Sequence, residues 1–354
     1  MLFDFSPEQR LFQTTLRDFL RKECPPDRVR GLWESESGRS DALWRQLAEL
    51  GLPGLLAPVA RGGLGLDEVD LVLLMEEVGR AALAEPLVAT AAVGVPLLAG
   101  LGGRFDGWLE RAAAGAARLA VQHPVSPFVA DAHVADLLLL ADGGELHAIE
   151  RDPGLSLSLT RQPANDPARR IYTVSWSRSQ ETRVASGAAA DALLEAALDR
   201  GALACSAQLV GVAEQLIDLA VAHACQREQF GRPIGSFQAV QHLLANAKVK
   251  LEYARPVVYR AAHSVARSTR SRAADVSHAK LAAGEAAALA ARTALQVHGA
   301  IGYTWEQDLH IWMRRAWSLE LEWGSGAFHG RRVADAVLAP GARIGPGCTF
   351  QGDD

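Results

Sequence analysis

Apolar residues recur at helical spacing over the first third of the chain. Residues 7–24 show this pattern, with Ser6 placed as the N-cap of the helix. Residues 40–50 repeat it, and a third helical run covers residues 67–81 after a glycine-rich loop. An Ala- and Leu-rich stretch follows. The pattern therefore predicts an N-terminal helical domain over residues 1–116.

From about residue 117 the pattern changes to short apolar or alternating runs separated by Asp, Gly and Pro. Such runs are typical of β-strands. They predict a small antiparallel sheet or barrel over residues 117–187. The runs cover residues 118–122, 135–141, 145–149 and 171–176.

Long Ala-, Leu- and Arg-rich helical segments fill most of the remaining chain. They predict a helical bundle over residues 188–340. The tail over residues 341–354 is rich in Gly and Pro and is expected to be loose or to cross a neighbouring surface. Breaks between the helices are predicted at residues 231–235, 268–272 and 299–302 and near Gly324.

Composition argues against several classes of protein. The 354 residues carry 36 Lys and Arg against 41 Asp and Glu, and the net charge of −5 argues against a nucleic-acid surface. The four cysteines lie far apart in sequence, so neither a zinc site nor a disulfide framework is indicated. No signal-peptide pattern and no uninterrupted apolar stretch of membrane-spanning length are seen. We therefore expect a cytoplasmic protein without metal, nucleic-acid or membrane partners.

The most specific motif is R-x-Q-F-G-R-P-I-x-x-F-Q, which covers residues 227–238. It predicts a helix that ends near Arg227, a Gly/Pro turn, and a second helix with Ser236 as its N-cap. Arg227 and Gln238 are then expected where two helix ends meet. A guanidinium at such a corner suits a phosphate, because its donors match the phosphate oxygens. The simpler alternative is a helix hairpin in which Arg227 pairs with a carboxylate.

A second block, Q-V-H-G-A-I-G-Y, covers residues 296–303 and is expected to close a helix with a glycine C-cap of the Schellman type. Together the two blocks resemble the acyl-CoA dehydrogenase family, in which they hold the pyrophosphate and adenine end of FAD. Ala300 stands where the family has a second glycine. In the family this corner serves the FAD of a neighbouring subunit, so the resemblance also implies an oligomer. The residues that it implies at the cofactor are Arg227, Gln229, Phe230, Gln238, Gln296, His298 and Gly299.

The same resemblance implies a fold, and it shows that this chain has lost two features of the family. The fold is mainly α, with an N-terminal helical domain, a reduced β domain and a C-terminal four-helix bundle. Family members carry T-E-P-x-x-G-S-D and W-I-T-N segments that grip the flavin ring. This chain passes from residues 119–124 to residues 129–136 without either segment. The resemblance thus implies that this chain lacks the segments that hold the flavin ring.

The second loss concerns the catalytic base. Removal of the α-proton of a thioester needs a carboxylate within hydrogen-bond reach. The usual glutamate position of the family falls on Trp323, and the alternative position falls on Gly201. Glu322 could substitute only if the backbone slipped by one residue. Glu320 and Glu322 are more simply solvated or paired with neighbouring arginines.

These features together resemble the β-type, non-catalytic subunits of heteromeric α2β2 acyl-CoA dehydrogenases, such as those acting on steroid side-chain CoA thioesters. The resemblance implies a homologous catalytic partner that binds the acyl-CoA and shares its FAD with this chain, and an electron-transfer flavoprotein as a further partner. Two alternatives stay open. One is a self-sufficient dehydrogenase with Glu322 as a displaced base. The other is a flavin-free assembly subunit.

Overall fold

The computed structural model describes residues 4–151 and 157–342. Most of these residues are helical, and the helices fall in the segments where the apolar periodicity predicts them, except for α2, which the sequence pattern did not predict. Ser6 caps the first helix through the hydrogen bond that its side chain accepts from the Gln9 amide. The helices are α1 (Pro7–Glu23), α2 (Pro26–Glu34), α3 (Asp41–Glu49), α4 (Glu68–Arg80), α5 (Val95–Leu101), α6 (Asp106–Ala113), α7 (Ala188–Gln226), α8 (Gln238–Ala266), α9 (Arg272–His298), α10 (Leu309–Leu321) and α11 (Gly326–Leu338).

The described chain forms two compact units, each built from discontinuous segments. The boundary after residue 204 falls inside α7, so this helix begins in one unit and ends in the other. The division into consecutive domains that the sequence suggests stays a prediction. The sheet unit comprises residues 27–71, 84–151 and 157–204, and the bundle unit comprises residues 4–26, 72–83 and 205–342.

The sheet unit contains two small sheets. The first has the strand order β1-β3-β4-β7 and the second has the order β2-β6-β5. A hydrophobic cluster is formed by residues from both sheets, among them Leu138 and Leu140 of β3 and Tyr172 of β6. The strands are β1 (Leu119–Val121), β2 (Val129–Ala130), β3 (Leu137–Asp142), β4 (Glu145–Glu150), β5 (Ser158–Gln162), β6 (Ile171–Ser175) and β7 (Arg183–Ser186).

The expectation of one small antiparallel sheet or barrel is corrected in two respects. The strands belong to two sheets, and β1 pairs with β3 in parallel, Leu119 opposite Leu137. The parallel pairing arises because the chain leaves β1, adds β2 to the other sheet, and returns to β3. Residues 137–140 are buried on both faces, which explains why β3 reads as a continuous run of leucines.

In the bundle unit the central helix is α9, which packs against α8, α10 and α11. Its buried positions include seven alanines and one glycine, so neighbouring helices can approach closely. The end of α7 leads into a two-stranded hairpin, β8 (Glu228–Gln229) and β9 (Arg232–Pro233), before α8 begins. All the breaks predicted between these helices are confirmed.

Helices α4 and α7 cross at close range within the bundle unit. A Cβ added to Gly79 would lie 2.1 Å from the backbone oxygen of Gln208, and one added to Gly211 would lie 1.8 Å from the backbone oxygen of Glu76. Side chains at either glycine would therefore push the two helices apart. The crossing fixes the part of α7 that leads to the motif at residues 227–238.

Helix α7 could cross a membrane by length and composition alone, but 72% of its most apolar window is buried inside the protein. Such burial is what the core helix of a bundle shows, and the same helix provides the scaffold of the site described next.

Candidate cofactor corner and the Trp323 turn

The first motif folds as a hairpin at the end of α7. The Arg227 amide still donates to the carbonyl of His223 at 2.8 Å, and the Arg227 carbonyl accepts from the Ile234 amide at 2.8 Å. Phe230 and Gly231 form the two-residue tip of the hairpin, with φ values of 54° and 76°. Positive φ at both positions is what a type I′ turn requires, so Phe230 occupies a position that suits Asn or Gly better.

The predicted N-cap of the next helix is wrong by one residue. Ser236 lies in a short 3-10 turn, and its hydroxyl donates to the Pro233 carbonyl at 2.7 Å. Phe237 is the residue before α8 and contributes no side-chain cap. The Ser236 hydroxyl bonds back into the 3-10 turn and not forward to an amide of α8, so the loop extends one residue further than predicted. Gln238 is therefore the first residue of α8, with its side chain exposed.

The hairpin presents aromatic rings to solvent. Phe230 is 93% exposed, and its ring stands perpendicular to that of Phe237 at a centroid distance of 6.1 Å. The Arg232 guanidinium lies 4.2 Å from the Phe237 ring centroid. Gln229 bonds locally to the carbonyl of Glu228. A ring exposed to this degree contributes little to the packing of this chain.

The second motif closes α9. Gly299 has φ 65° and ψ −142°, and its amide donates to the Leu295 carbonyl. The chain then continues as a 3-10 turn, Gly299–Tyr303, so the helix does not end in the left-handed glycine of a Schellman cap. A Cβ added to Gly299 would meet nothing within 4 Å. The glycine faces open space, as a backbone that approaches a ligand would.

The two motifs meet through a pair of histidines. The rings of His223 in α7 and His298 in α9 stack at a centroid distance of 4.3 Å with an interplanar angle of 22°. His298 Nδ1 donates to the Ala294 carbonyl at 2.7 Å. Because Arg227 follows His223 by one helical turn, the ends of α7 and α9 form one corner. The turn before α8 lies beside the end of α7, since a Cβ added to Gly235 would lie 3.1 Å from the backbone oxygen of Ala224. We name the surface formed by Arg227, Gln238 and residues 296–299 the cofactor corner.

Three polar side chains of the cofactor corner are exposed and unengaged. Within residues 4–151 and 157–342, no hydrogen bond or ion pair involves the side chain of Arg227, Gln238 or Gln296. The carboxylate partner expected for Arg227 in a simple helix hairpin is thus not seen there. A guanidinium and two amides are suitable donors for a pyrophosphate and a purine, so the residues present fit the ADP half of FAD.

A second constellation surrounds Trp323, in the turn between α10 and α11. Trp323 is 8% exposed and has φ 55°, which is rare for an aromatic residue. The buried Lys280 ammonium donates to the carbonyls of Glu320, Glu322 and Gly324 at 3.0, 2.7 and 2.9 Å. These bonds satisfy carbonyls at the end of α10 that would otherwise lack a donor. We name residues 320–324 the Trp323 turn.

His329 bonds to a fourth carbonyl of the Trp323 turn. Its Nε2 donates to the Trp323 carbonyl at 2.9 Å, and its Nδ1 lies 3.1 Å from the hydroxyl of Ser277. Burial, and then the charge of Lys280, lower the pKa of His329 to about 4. The imidazole is therefore neutral at physiological pH and acts as a fixed hydrogen-bond donor. The turn is held at four of its five carbonyls.

Two family models match this chain. Residues 6–104 match the acyl-CoA dehydrogenase N-terminal domain, and residues 191–338 match the acyl-CoA dehydrogenase C-terminal domain. The chain belongs to the acyl-CoA dehydrogenase family. The fold expected from the sequence is confirmed.

Relatives of known structure and sequence include subunits of complexes. The acyl-CoA dehydrogenase IpdE2 of Mycobacterium tuberculosis is 33% identical over 314 residues, which cover 88% of this chain and 91% of the relative. The ChsE4-ChsE5 complex from Mycobacterium tuberculosis contains a chain that superimposes with a TM-score of 0.85 at 24% identity, covering 97% of this chain and 100% of that chain. For a chain of the Tcur3481-Tcur3483 steroid acyl-CoA dehydrogenase G363A variant, the TM-score is 0.82 at 26% identity, with coverage of 94% and 98%.

Within this acyl-CoA dehydrogenase fold, the three candidate positions for the catalytic base differ in environment. Gly201 lies buried in the part of α7 that belongs to the sheet unit, and it has no side chain to offer. Trp323 is buried in its turn, whereas Glu322 is partly exposed and its carbonyl is bonded to Lys280. Glu320 accepts from the Gly326 amide at 3.0 Å and so stabilises the start of α11. The turn as folded presents an indole, not a carboxylate, to the interior.

The segment that is expected to lack the contacts with the flavin ring is short. Residues 122–128 join β1 to β2, and the structure describes no strand among them. Val125 donates its amide to the His123 ring, which closes this link as a tight local loop. The chain between the two strands is thus used for a direct crossing between sheets.

Sequence reasoning missed three residues that shape these sites. His223 could have been noticed, because it precedes Arg227 by one helical turn. Lys280 and His329 lie 43 and 6 residues away from Trp323, and only the folded bundle brings both to the same turn. Nothing in their local sequence signals a role.

Proposed function

We propose that this chain is a non-catalytic subunit of an FAD-dependent acyl-CoA dehydrogenase complex. It lends Arg227, Gln238 and the turn at Gln296 to the ADP half of an FAD seated on a homologous catalytic partner. The observation that carries this proposal is the Trp323 turn. An indole that is buried and fixed from four carbonyls occupies the position where the family places its base, while the cofactor corner is open.

In the complex FAD supplies the hydride acceptor for α,β-dehydrogenation of an acyl-CoA thioester. Arg227, Gln238 and Gln296 would hold the ADP half of FAD, Arg227 through its charge and the two glutamines through their amides. Trp323 has no group that takes up a proton at physiological pH. The partner subunit must therefore contribute the carboxylate, the flavin-ring pocket and the acyl-CoA site.

The relatives support a partner and a substrate class. Structures similar to this chain come from the ChsE4-ChsE5 complex and from a two-part steroid acyl-CoA dehydrogenase. By analogy we assign a steroid side-chain CoA thioester as the substrate of the complex, an electron-transfer flavoprotein as its electron acceptor, and the cytoplasm as its location.

The proposal is tested by purifying the chain alone and with a homologue encoded beside it. We expect a colourless, inactive protein alone and a yellow, active complex with the partner. Arg227→Ala should weaken FAD binding to the complex by about 10- to 100-fold, the value of a charge-assisted hydrogen bond, without disturbing assembly. Arg267→Ala, at the exposed end of α8, is the matched control and should retain FAD.

Each alternative gives a different result in this experiment. A yellow and active protein without a partner would refute the proposal and favour the displaced base, in which case Glu322→Gln should abolish turnover. If the chain assembles with the partner and Arg227→Ala leaves the FAD content of the complex unchanged, the result would favour a flavin-free assembly subunit. Size-exclusion chromatography with light scattering and the flavin absorbance distinguish these cases.

A further inference from the structure

Two helices end at the cofactor corner, and α8 begins there at Gln238. Both α7 and α9 direct their C-termini at the corner, next to His223 and His298. The C-terminal end of a helix behaves as roughly half a negative charge, which repels phosphate and stabilises an imidazolium. Arg227 and the partial positive charge at the start of α8 oppose these two ends. A pyrophosphate at this corner would gain from a further positive charge.

The histidine pair can supply that charge. The Nδ1 hydrogen of His298 is committed to the Ala294 carbonyl, so in the neutral ring Nε2 carries the lone pair. The groups that act on His223 are His298 from α9 and Arg227 from its own helix. Burial first, then the neighbouring His298 and then the Arg227 guanidinium lower the pKa of His223 below its ordinary value. His223 is therefore neutral near pH 7 while the corner holds no anion.

We propose that the His223–His298 pair takes up a proton when the ADP half of FAD binds, so that nucleotide affinity rises as the pH falls. The proposal rests on the proposed function for the identity of the nucleotide, but the chemistry needs only a pyrophosphate. An anion beside the rings stabilises the protonated form and so reverses the effect of Arg227. The stacked rings share one proton, because two imidazolium ions at 4.3 Å repel each other.

The direction of the pH effect follows from linkage. The pKa of His223 is lowered without nucleotide, and an anion beside the rings raises it, so binding gains a proton at pH values between the two. Within that window the dissociation constant of FAD should fall about ten-fold for each unit that the pH falls. Above the higher pKa the dependence disappears, since His223 is then neutral in both states.

The experiment is calorimetric titration of FAD into the apo-complex of this chain and its partner, from pH 5.5 to 8.5. Buffers with different heats of ionisation report the number of protons taken up. We expect uptake approaching one proton for the wild type and for His278→Gln, an exposed control on α9. His223→Gln and His298→Gln should remove the uptake and flatten the pH profile of the dissociation constant.

The outcomes separate this inference from the proposed function. FAD binding that depends on Arg227 but takes up no proton would overturn the histidine proposal alone. No FAD binding at any pH would overturn both. If a histidine variant folds poorly by circular dichroism, the wild-type measurement in two buffers still decides the question, because proton uptake needs no variant.

Discussion

At the residue scale, Lys280 shows how a buried charge can organise a turn. Lys280 is 2% exposed, and its ammonium group meets three backbone carbonyls, which match its three donors. The arrangement lets Trp323 adopt a left-handed conformation that an isolated turn would avoid. The Trp323 turn is thus stabilised by a residue 43 positions earlier in the sequence.

Replacing Lys280 with Met keeps the length of the side chain but removes all three donors. The carbonyls at the end of α10 then lose their partners in a largely buried site, so we expect the free energy of unfolding to fall by about 2–5 kcal/mol. Chemical denaturation of the full chain measures this loss. Lys250→Met is the control, because the exposed pair of Lys250 with Glu285 should contribute no more than about 1 kcal/mol. Equal losses for the two variants would contradict the assigned role of Lys280.

The residues of the cofactor corner could be named from sequence only because they belong to two contiguous motifs. Arg227 and Gln296 lie at helix ends in the structure, as the glycines near them predict. Their assignment to FAD stays a prediction. The stack of His223 on His298 joins residues 75 positions apart, and no local pattern reports such a contact. The error at Ser236 has a local cause, since a serine can bond backwards as easily as forwards.

At the element scale, the prediction of helices was more complete than that of strands. Long amphipathic or alanine-rich segments carry their period in the sequence, so the helices of the bundle unit were located well. Strands β2, β5 and β7 were missed because they are short or largely exposed and lack a clear alternation. The parallel pairing of β1 with β3 could not be predicted, since register and direction depend on the path between strands.

The crossing of α4 and α7 gives a prediction at this scale. Gly79→Ala should lower the free energy of unfolding by about 1–3 kcal/mol, because its Cβ would collide with the backbone of α7. Gly330→Ala, inside α11, is the matched control. An added Cβ there meets nothing within 4 Å, and alanine favours a helix over glycine by about 1 kcal/mol. Thermal unfolding should therefore show opposite shifts for the two variants, and a stabilising Gly79→Ala would refute the close crossing.

At the scale of the whole molecule, the Trp323 turn and the cofactor corner differ in exposure. The Trp323 turn buries an indole, while the cofactor corner is open and has unengaged donors. Family and fold class could be recognised from sequence because the motifs at residues 227–238 and 296–303 are local strings. The partition into a sheet unit and a bundle unit could not, since each unit gathers distant segments of the chain.

The hairpin tip beside the cofactor corner allows stability and assembly to be separated in one substitution. Phe230 has φ 54°, which Asn adopts more readily in a type I′ turn, and the ring is 93% exposed and so contributes little to the core. Phe230→Asn should therefore leave the melting temperature of the isolated chain unchanged or raise it. The same substitution should weaken association with the catalytic partner and the retention of FAD by the complex, because a large apolar ring is lost from the proposed contact surface.

Leu338→Asn, at an exposed leucine in the last turn of α11, controls for a general loss of surface hydrophobicity. Light scattering of the mixed subunits decides the matter, and undiminished association of the Phe230 variant would show that the hairpin lies outside the interface.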